Sequence, residues 1–539
     1  MCLILGNSLH THSFLLIPMN DLPNLNAALS SFEWPPAGSP EELNRYEALQ
    51  AGLAPLFEKT FPDVLAPKTV IVMPGTTLDE EMLGVLEGEL HYEERMLSML
   101  MLLRMPRTHV IYITSIPLDP VIVDYYLHLL PGITGWHARK RLTLLSCYDL
   151  SPKSLTQKVL DRPRLIERIK SHILPTHPAH LACYNVTPLE RSLAVRLGIP
   201  IYGCDPSLLS LGTKSGSRAI FQKAGIPLPA GFEQVKNRQE IVEALTALKT
   251  AQPTLRKAVV KMNEGFGGEG NALFSFEGAP EDAHLAKWIE EQLPRRLKMA
   301  APGLLYETFL RKFEEMQGIV EVFLDGDLKT SPSVQCRISP LGQVEIISTH
   351  DQVLGGDSGQ LFIGACFPAS AEYSREIGAM GHKIAEEMAR RGVIGRFAID
   401  FISVKEAEEW KHYAIEINLR KGGTTHPYLM LQFLTNGHYD ADQGHFLTAN
   451  GLRRYYFASD SLKSDAYRGT TPQDLLEIAI FHGLHFDGTT QEGVMFHMIG
   501  ALSEFGKLGV VCIGSSAERA LELYQTTVEV LDTELGASC

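Results

Sequence analysis

Asp400, Glu416 and Asn418 stand in two short runs, RFAIDFI and YAIEINLR, and together they offer hard oxygen ligands. In the first run Phe397, Ile399 and Phe401 share one side while Arg396, Ala398 and Asp400 share the other, the period of two that a strand imposes. In the second, Tyr413, Ile415, Ile417 and Leu419 oppose Ala414, Glu416, Asn418 and Arg420. The polar SVKEAEEWKH between them suits a hairpin loop. Paired antiparallel, the strands bring Asp400 near Glu416 and Asn418, with cross-strand Cβ separations of roughly 5 Å. Such a face suits Mg²⁺, which takes one or two protein carboxylates in near-octahedral geometry and fills its remaining positions with water and substrate phosphates. The competing reading of these residues alone is a half-exposed hairpin whose charges keep a sheet edge soluble.

A second stretch carries phosphate chemistry. In RKAVVKMNEGFGGEGNALFSF a strand that turns Lys261 outward leads into Gly265, Gly267, Gly268 and Gly270 before a second strand. Glycine lets backbone N–H groups approach phosphate oxygens without a Cβ in the way, and lysine supplies a mobile positive charge. Neither GxxxxGK[ST] nor a GxGxxG turn opening a helix is present, which excludes a Walker A loop and a Rossmann fingerprint. Upstream, Thr213 reads as the cap of a helix through Lys223, closed by Gly225 with Pro227 beyond. Lys214 opens that helix and, taken singly, reads as a surface lysine.

These groups need scaffolds. From Lys68, TVIVMPG, HVIYITSIPL, RLTLLSCYD and AHLACYN read as strands, with helices at LDEEMLGVLEGELHYEERMLSMLMLL, at VIVDYYLHLL and from Pro188 to Leu197. That alternation predicts a parallel sheet with helical crossovers. The MPGTT turn reads as an ordinary strand-to-helix connection, at the end of the sheet where open α/β folds bind ligands. LLYETFLRKFEEMQGIVEVFLDG reads as two strands with a short connector, followed by two more strand-like runs and the GGDSGQ loop. A helix from about Tyr373 to Arg391 buries Ile377, Met380, Ile384 and Met388. Past Asn450, a helix from Pro472 to Phe481, strands GVMFHMIG and LGVVCIG and a closing helix predict a small α/β lid or dimer surface. His482, His485 and His497 match no common metal spacing and read as structural.

The whole chain sets bounds. Its 539 residues, 45% hydrophobic and 21% charged, describe a soluble globular protein of two to four domains. A net charge of −14 argues against non-specific nucleic-acid binding, which rests on Lys and Arg. It leaves room for a small anion in a locally basic cleft. The eight cysteines form no CxxC pair, which favours reduced thiols and a cytoplasmic location. MCLILGNSLHTH lacks signal-peptide features, and the longest apolar runs, such as MLSMLMLL, are too short to span a bilayer.

Taken in order, the helix before GIPLPAG, the VVKMNEGFGGEGN strand and loop, a YETFL hinge and the acids of AIDF and EINLR resemble the ATP-grasp superfamily over roughly Asp205 to Asn450. PSVQCRI, STHDQVLGG, EINLRKGGTTHP, HYEERML and FHMIGALSEFGKLGVVCIG resemble more narrowly the pheganomycin-type peptide ligases. This resemblance implies an α/β and α+β multidomain fold. Its parts are a cap region at 1–67, a Rossmann-like pre-ATP-grasp domain at 68–204, an ATP-grasp domain at 205–450 and a small C-terminal α/β domain at 451–539. It further implies ATP, Mg²⁺ and a ligase that joins an amino acid to an amino acid or peptide through an acyl phosphate, releasing ADP and phosphate. Carried over by position, Lys214 and Lys261 contact the ATP phosphates or purine, and Gly265, Gly267, Gly268 and Gly270 cover the β- and γ-phosphates. Backbone groups of Glu307, Thr308 and Leu310 meet the adenine, and Glu315, or Gln317 by spacing, takes the ribose. Asp400, Glu416 and Asn418 hold Mg²⁺. Arg420 stabilises the acyl phosphate, with Arg396 and Arg337 as secondary candidates for a substrate carboxylate or phosphate. The GGDSGQ and KGGTTHP loops are expected lids, and Thr424, Thr425 and His426 are either substrate contacts or loop caps. The expected partners are small-molecule amino acids, amines or peptides, with no nucleic acid or membrane, and base rates point to a homodimer. A hydroxyl-directed phosphotransferase and a non-catalytic nucleotide-binding regulator are the alternatives.

Overall fold

The computed structural model describes residues 34–78, 83, 87–265, 270–301, 303–326, 328–355 and 361–536. Among these the first sheet is parallel, with strands β1 (Lys68–Met73), β2 (Thr108–Thr114), β3 (Leu142–Ser146) and β4 (Ala179–Cys183) in the order β3-β2-β1-β4. Every residue of β1 is buried, as expected of a strand with both faces covered. The crossover from β1 to β2 differs from the expected α-helix. Glu89–Arg104 is a 3₁₀ helix, whose three-residue turn stacks Glu94, Leu97, Leu100 and Leu103 on one buried line. It packs against β2 and against the helix Thr425–Thr435, so both of its sides are enclosed.

A second sheet is antiparallel, with β5 (Gly231–Val235), β6 (Lys257–Met262), β7 (Asn271–Ser275), β8 (Leu297–Met299) and β9 (Gly318–Val322) in the order β5-β9-β6-β7-β8. YETFL, expected in a strand, lies in the helix Tyr306–Met316. Phe309, Leu310 and Phe313 are buried while Arg311 and Glu315 pair on the exposed side at 2.9 Å, a spacing that only a helix brings together.

The largest sheet holds β10 (Leu328–Thr330), β11 (Pro332–Ile338), β12 (Val344–Gly355), β13 (Leu361–Phe367), β14 (Gly395–Glu406) and β15 (Glu409–Asn418). One side of β14 pairs with β15, and the other with β11 along its first half and β10 along its second. The expected hairpin loop is shorter than SVKEAEEWKH: Ser403 to Glu406 pair with Glu409 to His412, leaving a two-residue turn. A bulge falls between Asp400 and Phe401, so that Asp400 faces Glu416 while Phe401 faces Ala414. Ala414 therefore departs from the face of Glu416, where strict alternation had put it.

The short hairpin β16 (His438–Asp440) and β17 (His445–Leu447) stands apart. Strands β18 (Tyr455–Lys463), β19 (Gly493–His497) and β20 (Lys507–Gly514) then extend the large sheet, with β18 alongside β13. The helix Ser374–Arg390 covers β11 and β12, and its Gly381 leaves space that Val334 fills, since a Cβ there lies 2.7 Å from a Val334 methyl. The segment that follows the parallel sheet meets the large sheet at Gly395, whose φ is +98° and whose Cβ position lies 3.0 Å from the Gly203 Cα. Gly395→Ala should lower the unfolding free energy by about 1–3 kcal/mol. The check is a lower denaturant midpoint at constant slope; an unmoved midpoint contradicts the close approach.

Candidate active site

The hairpin geometry brings the acid face together. Asp400 sits directly opposite Glu416 on one side and Ser333 on the other. The Asn418 amide donates through Nδ2 to Asp400 Oδ2 at 2.8 Å, and Gln352 Nε2 donates to Asp400 Oδ1 at 2.8 Å. With its nitrogen committed to Asp400, the Asn418 amide keeps its oxygen for another partner. Burial, and then the neighbouring Glu416 carboxylate, push the Asp400 carboxyl up to about 6 against the opposing pull of Ser333, Arg420 and Lys214. Two carboxylates forced together at a partly buried position are a donor set that a divalent cation relieves. Among the described residues no three His, Cys, Asp or Glu side chains converge on one point.

One helix links this face to the second sheet. In Lys214–Ala224 the Thr213 hydroxyl caps Gly216 N–H at 3.0 Å, and Gly225 closes the helix at φ +67°. The Lys214 N–H donates to the Asn263 carbonyl at 3.1 Å and the Ser215 N–H to Asn263 Oδ1 at 3.0 Å, which ties the helix start to the end of β6. On its other side, Ser217 Oγ accepts from the Ile417 N–H at 3.0 Å. Lys214 is therefore buried rather than on the surface, and its ammonium pairs with Glu416 Oε1.

Lys261 is also buried, where the sequence reading turned it outward. Its ammonium meets Glu321 Oε1 at 2.5 Å, while Arg218 reaches Glu321 Oε2 at 2.8 Å and Glu233 Oε1 at 2.7 Å. Glu321 and Arg218 escaped the motif reading. A lone acid inside the apolar GIVEV strand was the available signal, because a buried carboxylate demands a cation. Gly265 and Gly270 form the feet of the glycine loop, with the Gly265 Cβ position 3.3 Å from the Gly270 Cα. Gly267 and Gly268 lie outside the described residues, as does GGDSGQ beyond Gly355.

The remaining expected residues separate. Arg420 influences Asp400 electrostatically and donates to the Lys421 carbonyl at 3.1 Å. Arg396 and Arg337 pair with each other across β14 and β11, and Arg337 is further held by Glu345. Arg396 lies four residues before Asp400 on β14, about 13 Å along the strand, so this pair is removed from the acids. Burial, with Arg337 beside it, lowers the pKa of the Arg396 guanidinium. Glu307, Thr308, Leu310 and Glu315 lie in the Tyr306–Met316 helix, Glu307 and Thr308 in its first turn, with Leu310 buried and Glu315 paired with Arg311. The extended YETFL hinge is therefore corrected to a helix. His426 is buried, hydrogen-bonded through Nδ1 to the Arg95 carbonyl at 3.0 Å and through Nε2 to the Tyr126 hydroxyl at 3.3 Å. It serves packing, and Thr425 Oγ1 caps the Gly422 N–H at 3.0 Å.

A profile of the IQCH-like ATP-grasp family matches residues 208–300 and 304–442, and a PGM1 C-terminal domain profile matches 474–527. The L-propargylglycine–L-glutamate ligase of Streptantibioticus cattleyicolor is 30% identical over 436 residues, covering 79% of this chain and 86% of the relative. The chain belongs to the ATP-grasp ligases. The IQ motif-containing protein H of Danio rerio is 24% identical to this ATP-grasp enzyme over 399 residues, 66% of this chain and 38% of that protein's own length. In fold, the crystal structure of the Campylobacter jejuni biotin carboxylase complex with β,γ-ATP superposes with a TM-score of 0.52 at 12% identity, over 86% of this chain and 91% of that one.

The acid pair of this ATP-grasp protein has a titration signature. Asp400 rises from its ordinary 3.8 to about 6 on folding, so the folded state binds the proton more tightly and stability falls as pH rises between those values. Relative to the parent, Asp400→Asn should gain about 1–3 kcal/mol of stability between pH 4 and pH 8 in the absence of divalent ions. Denaturant melts across that range check this, and a pH-independent difference rules it out.

Proposed function

We infer that the protein is an ATP-dependent carboxylate–amine ligase that makes a peptide bond between an amino acid and a second amino acid or peptide. The observation that carries this reading is the face of Asp400, Glu416 and Asn418 with the Lys214 ammonium on Glu416, between two sheets joined by one helix. Membership of the ATP-grasp ligases supports it. The named substrates of the Streptantibioticus relative, L-propargylglycine and L-glutamate, support amino acids as the substrate class.

Asp400, Glu416 and the Asn418 oxygen would hold Mg²⁺, which supplies neutralisation of phosphate charge when bound. Lys214 exchanges its Glu416 partner for phosphate oxygens, and Lys261, held by Glu321, adds a second fixed cation. Glycines between Gly265 and Gly270 would let backbone N–H groups approach the β- and γ-phosphates. The substrate carboxylate oxygen attacks the γ-phosphorus, the bond from that phosphorus to the β-bridging oxygen breaks, and ADP leaves. Arg420 stabilises the charge on the transferring group. The neutral amine then attacks the acyl carbon, the carbon–oxygen bond to phosphate breaks, and the amine proton passes to the departing phosphate or to water. Because both reactants are anions in the first step, fixed cations contribute most of the positioning.

Glu416→Gln should lower ADP release with Mg-ATP and amino acids by about 100-fold or more, since it removes a carboxylate from the metal face and the partner of Lys214. Intact-mass detection of an amide product in the parent and its loss in the variant check the reading. ADP with a phosphorylated product and no amide points instead to transfer onto a hydroxyl.

A further inference from the structure

Three neighbouring strands supply hydrogen-bond donors to the Asp400 carboxylate. Gln352 Nε2 from β12 meets Oδ1 and Asn418 Nδ2 from β15 meets Oδ2, each at 2.8 Å. The Ser333 hydroxyl, on the residue directly opposite in β11, is a further donor to the same carboxylate. An ionised carboxylate has about four acceptor positions, so these donors leave one open. Asn418 belongs to the metal face itself. Gln352 does not, and it reaches Asp400 from the next strand but one, across β11.

The backbone gives Gln352 a fixed origin. Its N–H donates to the Ser331 carbonyl at 3.0 Å. The preceding residue, Asp351, points to the other face of β12, where its carboxylate accepts from the Tyr373 hydroxyl at 2.7 Å and the Ser370 N–H at 2.8 Å. Asp400 is only half-buried, so water is at hand to satisfy its oxygens. A neutral donor that crosses a strand to reach such a group adds little net stability and chiefly sets its direction. The residue type matters as well. A lysine at this position neutralises the carboxylate that a cation has to meet, and an acid adds a third like charge beside Glu416. The amide of Gln352 donates and leaves the charge of Asp400 intact.

We propose that Gln352 is a positioning residue for the divalent cation: it holds the Asp400 carboxylate so that the remaining acceptor position is kept for the metal. This rests on the metal face of the reading above and holds whether the acceptor is an amine or a hydroxyl. Metal ligands are aimed by such outer hydrogen bonds, and losing one typically lowers metal affinity about 10- to 100-fold. Without Gln352, Asp400 keeps its charge and two donors but turns more freely about the soft torsion next to its carboxylate.

The test is titration of the full-length protein with Mn²⁺, a paramagnetic substitute for Mg²⁺ whose free ion is counted by its EPR signal. Protein is kept in excess over ADP, at alkaline pH where Asp400 is ionised. Gln352→Met, similar in length but without a donor, should lower Mn²⁺ affinity about tenfold or more. Gln352→Lys, which sets an ammonium on Asp400, should lower it further. Calorimetric affinity of Gln352→Met for metal-free ADP should match the parent, because the acid face meets the nucleotide through the metal. Undiminished Mn²⁺ affinity in Gln352→Met overturns the proposal. Equal losses of Mn²⁺ and metal-free ADP affinity, the mark of a distorted site, do the same, as does a Lys variant that binds Mn²⁺ like the parent. Neither titration requires turnover, so the two readings fail separately. Amide products with unchanged Mn²⁺ affinity in Gln352→Met remove this proposal alone, whereas phosphorylated products without amide, alongside the expected loss, remove the ligase alone.

Discussion

Two like charges held face to face set the terms for the rest of the molecule. Asp400 and Glu416 are register partners on β14 and β15, and burial, followed by their mutual repulsion, raises the Asp400 pKa. Nothing in a bare hairpin would keep them there. Asn418 and Gln352 donate to Asp400, the Lys214 ammonium meets Glu416, and Ser217 accepts from Ile417 between Glu416 and Asn418 on β15. The helix Lys214–Ala224 is thus a strut: one end is tied to Asn263 beside the glycine loop and its flank to β15. Asn263, at the start of the loop, and the acid face are held in one frame.

A second buried network plays the same part in the smaller sheet. Glu321 is shared by Lys261 and Arg218, with Glu233 taking the remaining side of Arg218. Removing the acid would leave two cations buried together, so the network is strongly coupled and its members do not contribute independently. It also restricts Lys261 to one orientation near the loop, at the cost of the mobility that an exposed lysine would have.

Much of this was legible in the sequence, for definable reasons. Alternation in RFAIDFI and YAIEINLR is a local property, and so are the Thr213 cap, the Gly225 stop and the apolar runs of β1 to β4. What escaped depends on contacts between distant segments. The bulge after Asp400, which turns Ala414 to the other face, leaves no local trace. YETFL alternates well enough to pass for a strand, yet Phe309, Leu310 and Phe313 are buried by a helix whose partners lie elsewhere in the chain. The 3₁₀ path of Glu89–Arg104 reflects enclosure on both sides, and the pairing of Lys261 with Glu321 spans sixty residues of sequence. Arg396 shows the converse: its face was read from alternation, but its register partner Arg337 and its distance along β14 from Asp400 were not.

The large sheet is also a matter of timing. Every acid and lysine considered at the site precedes residue 421, yet the strand β13 is flanked on one side by β12 and on the other by β18, which is made later. β18 in turn is covered by β20, and β20 by β19. A chain emerging from the ribosome therefore carries the complete acid face while β13 still presents an open edge, the kind of surface that recruits stray strands. Strand β18 covers that edge once it has been synthesised.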